Sequence, residues 1–91
     1  MTEEEWIEQL KKEECVDIAT PSFGPNVELP EHTHDRDTMH VMLQGELTLI
    51  DASGAITHVM GERFLTPAGT THRGKSGPGG CRFMVGMKKD N

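Results

Sequence analysis

His32-Thr33-His34, and far along the chain His72 in the stretch Pro67-Ala68-Gly69-Thr70-Thr71-His72, are the residues best suited to chemistry. Side chains at i and i+2 of an extended strand point to one face, so His32 and His34 can hold a single metal ion without any special turn. A third imidazole from a distant strand completes a three-nitrogen face and leaves positions open for water or substrate. Open positions separate a reactive metal site from a purely structural one. His40 shares strand parity with Thr38 and faces the same way. A fourth ligand, a partner of the ligands, a catalytic base and a hydrogen-bonded core histidine are all open to it. His58 lies outside both clusters and reads as a solvent-facing or rim histidine.

The elements that must position these rings begin with a helix over Thr2 to Glu14. Thr2 with Glu5 forms a capping box, acidic residues fill the first turn, and Trp6, Ile7 and Leu10 make a narrow apolar stripe. That stripe is expected to pack on the main body or on a second subunit. From Cys15 onward strand patterns take over. Cys15 to Thr20 is a short strand candidate, and Pro21, Pro25 and Pro30 punctuate an irregular or edge stretch. The pattern predicts a strand over Thr38 to Leu43, a turn at Gln44-Gly45, and a second strand over Glu46 to Asp51 that ends at Ala52-Ser53-Gly54. Strands over Ala55 to Met60 and Arg63 to Thr66 follow, joined at Gly61-Glu62. Arg73 to Gly80 holds four of the ten glycines together with Pro78, which predicts a loop. Cys81 to Met87 supplies a last strand. Short strands at regular spacing between glycine turns predict an all-β sandwich or barrel.

At 91 residues the chain makes one domain: the helix of residues 1–14 and a body of residues 15–91. A chain of this size buries only ~60–65 % of its unfolded surface. With 34% hydrophobic residues, it is expected to gain from a closed barrel, a bound metal or a homodimer. The net charge of -6 disfavours nucleic acid and anionic membranes as partners, because both select basic surfaces. No apolar run approaches the ~18 residues of a membrane span, and no signal-peptide pattern opens the chain, so a soluble, cytoplasmic protein is expected. Cys15 and Cys81 have no CxxC partner and read as free, part-buried thiols. Met39, Met42, Met60, Met84 and Met87 read mainly as core filling, with soft pocket walls as the alternative.

The two histidine clusters resemble the paired signature motifs of the cupins, a superfamily of small jelly-roll-like β-barrels. In the first, His32-Thr33-His34 is followed by Asp35-Arg36-Asp37-Thr38, six further residues and Gly45. In the second, Gly61, Pro67, Gly69 and His72 match the family-defining positions, and fifteen residues separate Gly45 from Gly61 as in short, single-domain bacterial-type cupins. The likeness covers roughly residues 20 to 88. It implies an all-β cupin barrel carrying the short N-terminal helix, with His32, His34 and His72 as ligands of a divalent metal. Gly45 and Gly61 would sit where the backbone needs a positive φ or a close approach, and Pro67-Ala68-Gly69 would aim His72 inward. The family commonly places a glutamate ligand where this chain has Thr38. Asp37 beside it has the wrong strand parity and points away unless a bulge re-aims it.

Three neutral histidines leave an ion its full charge, which suits iron binding an anionic, bidentate substrate as in three-histidine cupin dioxygenases; zinc, nickel or manganese also fit. The expected function is binding of, or action on, a small polar or anionic molecule at this site. If catalytic, the protein is a metal-dependent, dioxygenase-like oxidoreductase or an isomerase, with His40 as the candidate for proton transfer. The alternatives are a non-catalytic binding or sensing barrel, with or without metal, and a structural or metal-storage role. Arg63, Arg73 and Arg82 offer guanidinium groups to an anion, and a solvated arginine is the default for each. The chain has no tyrosine, so neither a cysteine–tyrosine cross-link nor the tyrosine general acid of sugar-epimerising cupins is available. The absent glutamate argues against oxalate-decarboxylase-like chemistry.

Overall fold

Thr2 caps helix α1 (Glu3–Lys12) as its sequence demands. The Thr2 hydroxyl accepts from the Glu5 amide at 3.1 Å, and the Glu5 carboxylate accepts from the Thr2 amide at 2.8 Å. Lys11 and Lys12 in the last turn complement the negative end of the helix dipole. The computed structural model describes residues 1–89, in which α1 precedes seven antiparallel strands. These are β1 (Cys15–Ala19), β2 (Ser22–Phe23), β3 (Glu28–Thr33), β4 (Thr38–Asp51), β5 (Gly54–Val59), β6 (Arg63–Thr66) and β7 (Thr71–Lys88).

Two long strands organise the barrel. The first part of β4 lies between β6 and the end of β7, while its second part lies between β5 and the start of β7. On its other side β7 pairs in turn with β1, β2 and β3. Each long strand therefore belongs to both layers of the β-sandwich. The expected turn at Gln44-Gly45 is instead a bend within one continuous β4, and the expected loop over Arg73 to Gly80 is part of β7. The physical reason is that the glycines face one another. The register slips between Met42 and Gln44 and again between Gly45 and Leu47, where Gly45 pairs with Cys81. Gly45 has φ +70 and Gly80 φ +80. A Cβ on Gly45 would stand 2.0 Å from the Gly80 carbonyl oxygen, and one on Gly80 would stand 2.6 Å from that of Phe23. Glycine here lets two strands fold over together, and the ladder continues through the bend. Gly61 also has positive φ, as its turn requires.

The first part of β4, Thr38 to Met42, is buried on both faces because both are covered. Its outer face, Met39 and Val41, joins Met84, Cys15 and the fully buried Leu10 of the helix, with Trp6 and Ile7 packed alongside. The helical stripe thus seats on its own barrel. Arg82 pairs with Glu3 and Arg63 with Glu13, while the Arg63 guanidinium lies 5.8 Å from the centre of the Trp6 ring. The inner face carries Met42, Leu47, Cys81 and Phe83, flanked by Phe23, Leu29, Leu49, Phe64 and Val85. Of the methionines, Met39, Met42 and Met84 fill core while Met60 is exposed. Cys15 and Cys81 are free and buried.

Candidate metal centre

His32 and His72 are direct cross-strand partners of β3 and β7, and His34 follows just past the end of β3. Cross-strand pairing is what brings residues so distant in sequence within reach. The His32 ring packs edge-on at 4.3 Å from that of His72 and 4.8 Å from that of His34, centre to centre. One nitrogen from each ring falls within 4.8 Å of the others.

Local structure fixes this arrangement. The β3–β7 register shifts between Leu29 and His32, which leaves the Pro30 carbonyl free to accept from His32 Nδ1 at 2.9 Å. With that proton on Nδ1, the Nε2 lone pair faces the cluster. There it lies 2.8 Å from His72 Nε2, whose proton it accepts. The His34 carbonyl accepts from the Gly69 amide at 2.8 Å, so the Pro67-Ala68-Gly69 turn braces the chain beside the second ligand. Asp37 points away, as strand parity demands, and its carboxylate accepts from the Ala68 amide at 2.8 Å in that same turn. Thr38 is fully buried and its hydroxyl donates to the Arg36 carbonyl at 3.3 Å.

Burial pushes the His72 ring below its ordinary pKa, with His32 and His34 adding to the effect and Asp51 opposing it. His34 is lowered in the same way, burial first and then His32, against Asp35. Both shifts favour neutral imidazoles, the protonation state a metal requires. An ion bonded at ~2.1 Å to three nitrogens holds them ~3.0–3.4 Å apart. A modest turn of the side chains reaches that spacing, so the donor set fits a divalent cation.

The three rings stand on the wall of a cavity of about 350 Å³, which His40 also lines. His40 is 5% exposed, and its Nδ1 has no hydrogen-bond partner. Burial takes its pKa down to about 4; His72 and His34 reinforce that fall, while the Thr38 backbone opposes it. Its ring stacks on Phe64 at 4.6 Å. His58 is not solvent-facing: it is half-buried, stacks on Phe64 at 3.6 Å, and bonds Glu62 at 3.1 Å through Nδ1. None of the three arginines lines the cavity, and Arg73 is exposed. Sequence reasoning missed Pro30 as the group that orients His32, because the signal is a register shift that no residue pattern announces.

Solved structures of the same shape are numerous. A cupin superfamily protein from Desulfitobacterium hafniense DCB-2 superposes with a TM-score of 0.73 at 25% identity, covering 80% of this chain and 66% of that one. The chain is a cupin-type protein. A cupin-2 domain-containing protein from Shewanella frigidimarina NCIMB 400 gives a TM-score of 0.68 at 22% identity, over 79% of this cupin and 69% of that chain. A structure of the DMSP lyases RdDddP and RnDddQII gives 0.72 at 14% identity, over 79% of this chain and 37% of that one. The cupin thus spans about two thirds of the length of the first two structures. No protein-family model matches it, and no curated protein is similar to it in sequence.

Proposed function

We propose that this cupin binds a divalent metal ion through His32, His34 and His72 and binds or transforms a small molecule with a polar or anionic head in the adjoining cavity. The observation that carries the reading is the convergence of three ring nitrogens within 4.8 Å on a cavity wall. Iron, nickel, zinc or manganese suits three imidazoles. When bound, the ion supplies Lewis-acid or oxygen-binding chemistry at its open positions, which fits a dioxygenase-like or isomerase-like reaction. Pro30 holds the His32 tautomer, and the Gly69 amide braces the backbone of His34. With a pKa near 4, His40 accepts protons weakly at neutral pH, so its part is that of a neutral hydrogen-bond partner to the bound molecule.

A second reading, a metal-free binding or sensing barrel, is favoured by one observation. His32 and His72 already satisfy each other through their Nε2 atoms. Elemental analysis of tag-free protein purified without chelators, beside His72→Ala, separates the two. Near-stoichiometric metal, lost in the variant, is expected. No metal in either protein, with none taken up on reconstitution, would leave the metal-free reading.

The same proposal includes a cytoplasmic location, in keeping with two buried free thiols, and a homodimer. Strand β5 pairs only with β4 among the described residues, and Ile56, Val59 and Met60 stand exposed at and beside it. Among the described residues no helix is long and apolar enough to cross a membrane.

A further inference from the structure

The cavity has one polar corner. Its walls away from the histidines are Phe23, Leu29, Leu47, Leu49, Phe83 and Val85, and no lysine, arginine or carboxylate lines it among the described residues. The arginines that could have countered a second charge are committed elsewhere. Arg82 is tied to Glu3 and Arg63 to Glu13, both on the outer side under the helix. The polar group farther into the cavity is His40, buried and without a partner at Nδ1. Placing a charge against such walls costs far more than placing a methylene there.

We infer that the ligand of this cavity is a small molecule with a single polar or anionic head and an apolar body: the head sits at His32, His34 and His72, and the body lies along the leucine and phenylalanine walls. This rests on the metal-binding reading for the position of the head, and independently on the wall chemistry for the body. Dicarboxylates, polyhydroxylated acids and phosphorylated compounds are disfavoured, because each places charge or unsatisfied hydroxyls against hydrocarbon.

Hexanoate, adipate and gluconate make a matched set for the test. All three have six carbons and one carboxylate head, but adipate adds a second charge at the far end and gluconate carries hydroxyls along the body. Each is titrated into the 91-residue protein loaded with zinc and into its metal-free form, with affinity read from the methyl resonances of labelled leucine and valine. We expect hexanoate to bind at least tenfold more tightly than either competitor, with shifts at Leu47, Leu49 and Val85. Adipate or gluconate binding as tightly as hexanoate would overturn the inference, and so would no detectable binding by any of the three. Failure of the metal reading is seen separately: hexanoate would then keep its preference but bind equally well with and without zinc.

Discussion

At the scale of single residues, the candidate site is built from side chains whose second nitrogen is as important as the first. His32 gives its Nδ1 proton to Pro30, and that bond presents Nε2 to the cluster. His40 has no such partner for its Nδ1 and sits among Phe64, Phe83 and apolar walls. Its ordinary pKa of 6.5 is lowered to about 4 in the folded protein. The sign of the linkage follows. Below pH 6.5 the unfolded chain takes up a proton at His40 that the folded chain refuses, so stability is lost progressively as pH falls towards 4. Between pH 7 and pH 5 this costs about 2 kcal/mol. Denaturant titrations at the two pH values are expected to show a fall larger by about that amount in the wild type than in His40→Leu. Equal falls would mean that the ring is charged, or already hydrogen-bonded, in the native state. The histidine triplet itself was legible in the sequence, because strand parity and motif spacing are local properties. The state of His40 was not, because it depends on which rings three strands bring together around it.

At the scale of elements, the capping box at Thr2 and Glu5 and strand β6 over Arg63 to Thr66 stand where the residue patterns place them. The patterns mislead at the glycines. Gln44-Gly45 and Arg73 to Gly80 have the composition of a turn and a loop, yet both lie inside long strands. Local pattern identifies a residue that tolerates a positive φ, but it does not say whether the ladder stops there. The ladder continues because Gly45 and Gly80 bend opposite one another, backbone against backbone. Gly45→Ala is therefore expected to be severe, at more than about 2 kcal/mol, since it combines a strained φ with a collision against a carbonyl oxygen. A thermal melt of the variant checks this. An unchanged melting temperature would show that the bend has freedom the glycine pairing denies it. The helix was ambiguous in the sequence for a different reason: an apolar stripe says that a helix packs, and not against what. Leu10 at 0% exposure among Met39, Val41 and Met84 supplies the missing partner.

At the scale of the whole molecule, a small barrel with a modest core positions three imidazoles at one end of an apolar cavity, and its outer arginines hold the helix in place. One open edge runs along β5, where Ile56 is 61% exposed and borders, with Leu65, a pocket of about 150 Å³. A second copy covering that edge would bury these side chains and the unpaired backbone together. Sedimentation of the wild type is expected to give a dimer that Ile56→Asp converts to monomer. A wild-type monomer at every concentration would remove the homodimer from the proposal. The central claim is the three-nitrogen metal site, and X-ray absorption at the metal edge of the zinc-loaded protein tests it most directly. The expected first shell contains three imidazole nitrogens at ~2.0–2.1 Å, recognised by the outer-shell scattering of their rings, with oxygens completing it. A shell with sulfur at ~2.3 Å, or one built from oxygens alone, would place the metal away from His32, His34 and His72 and contradict the account.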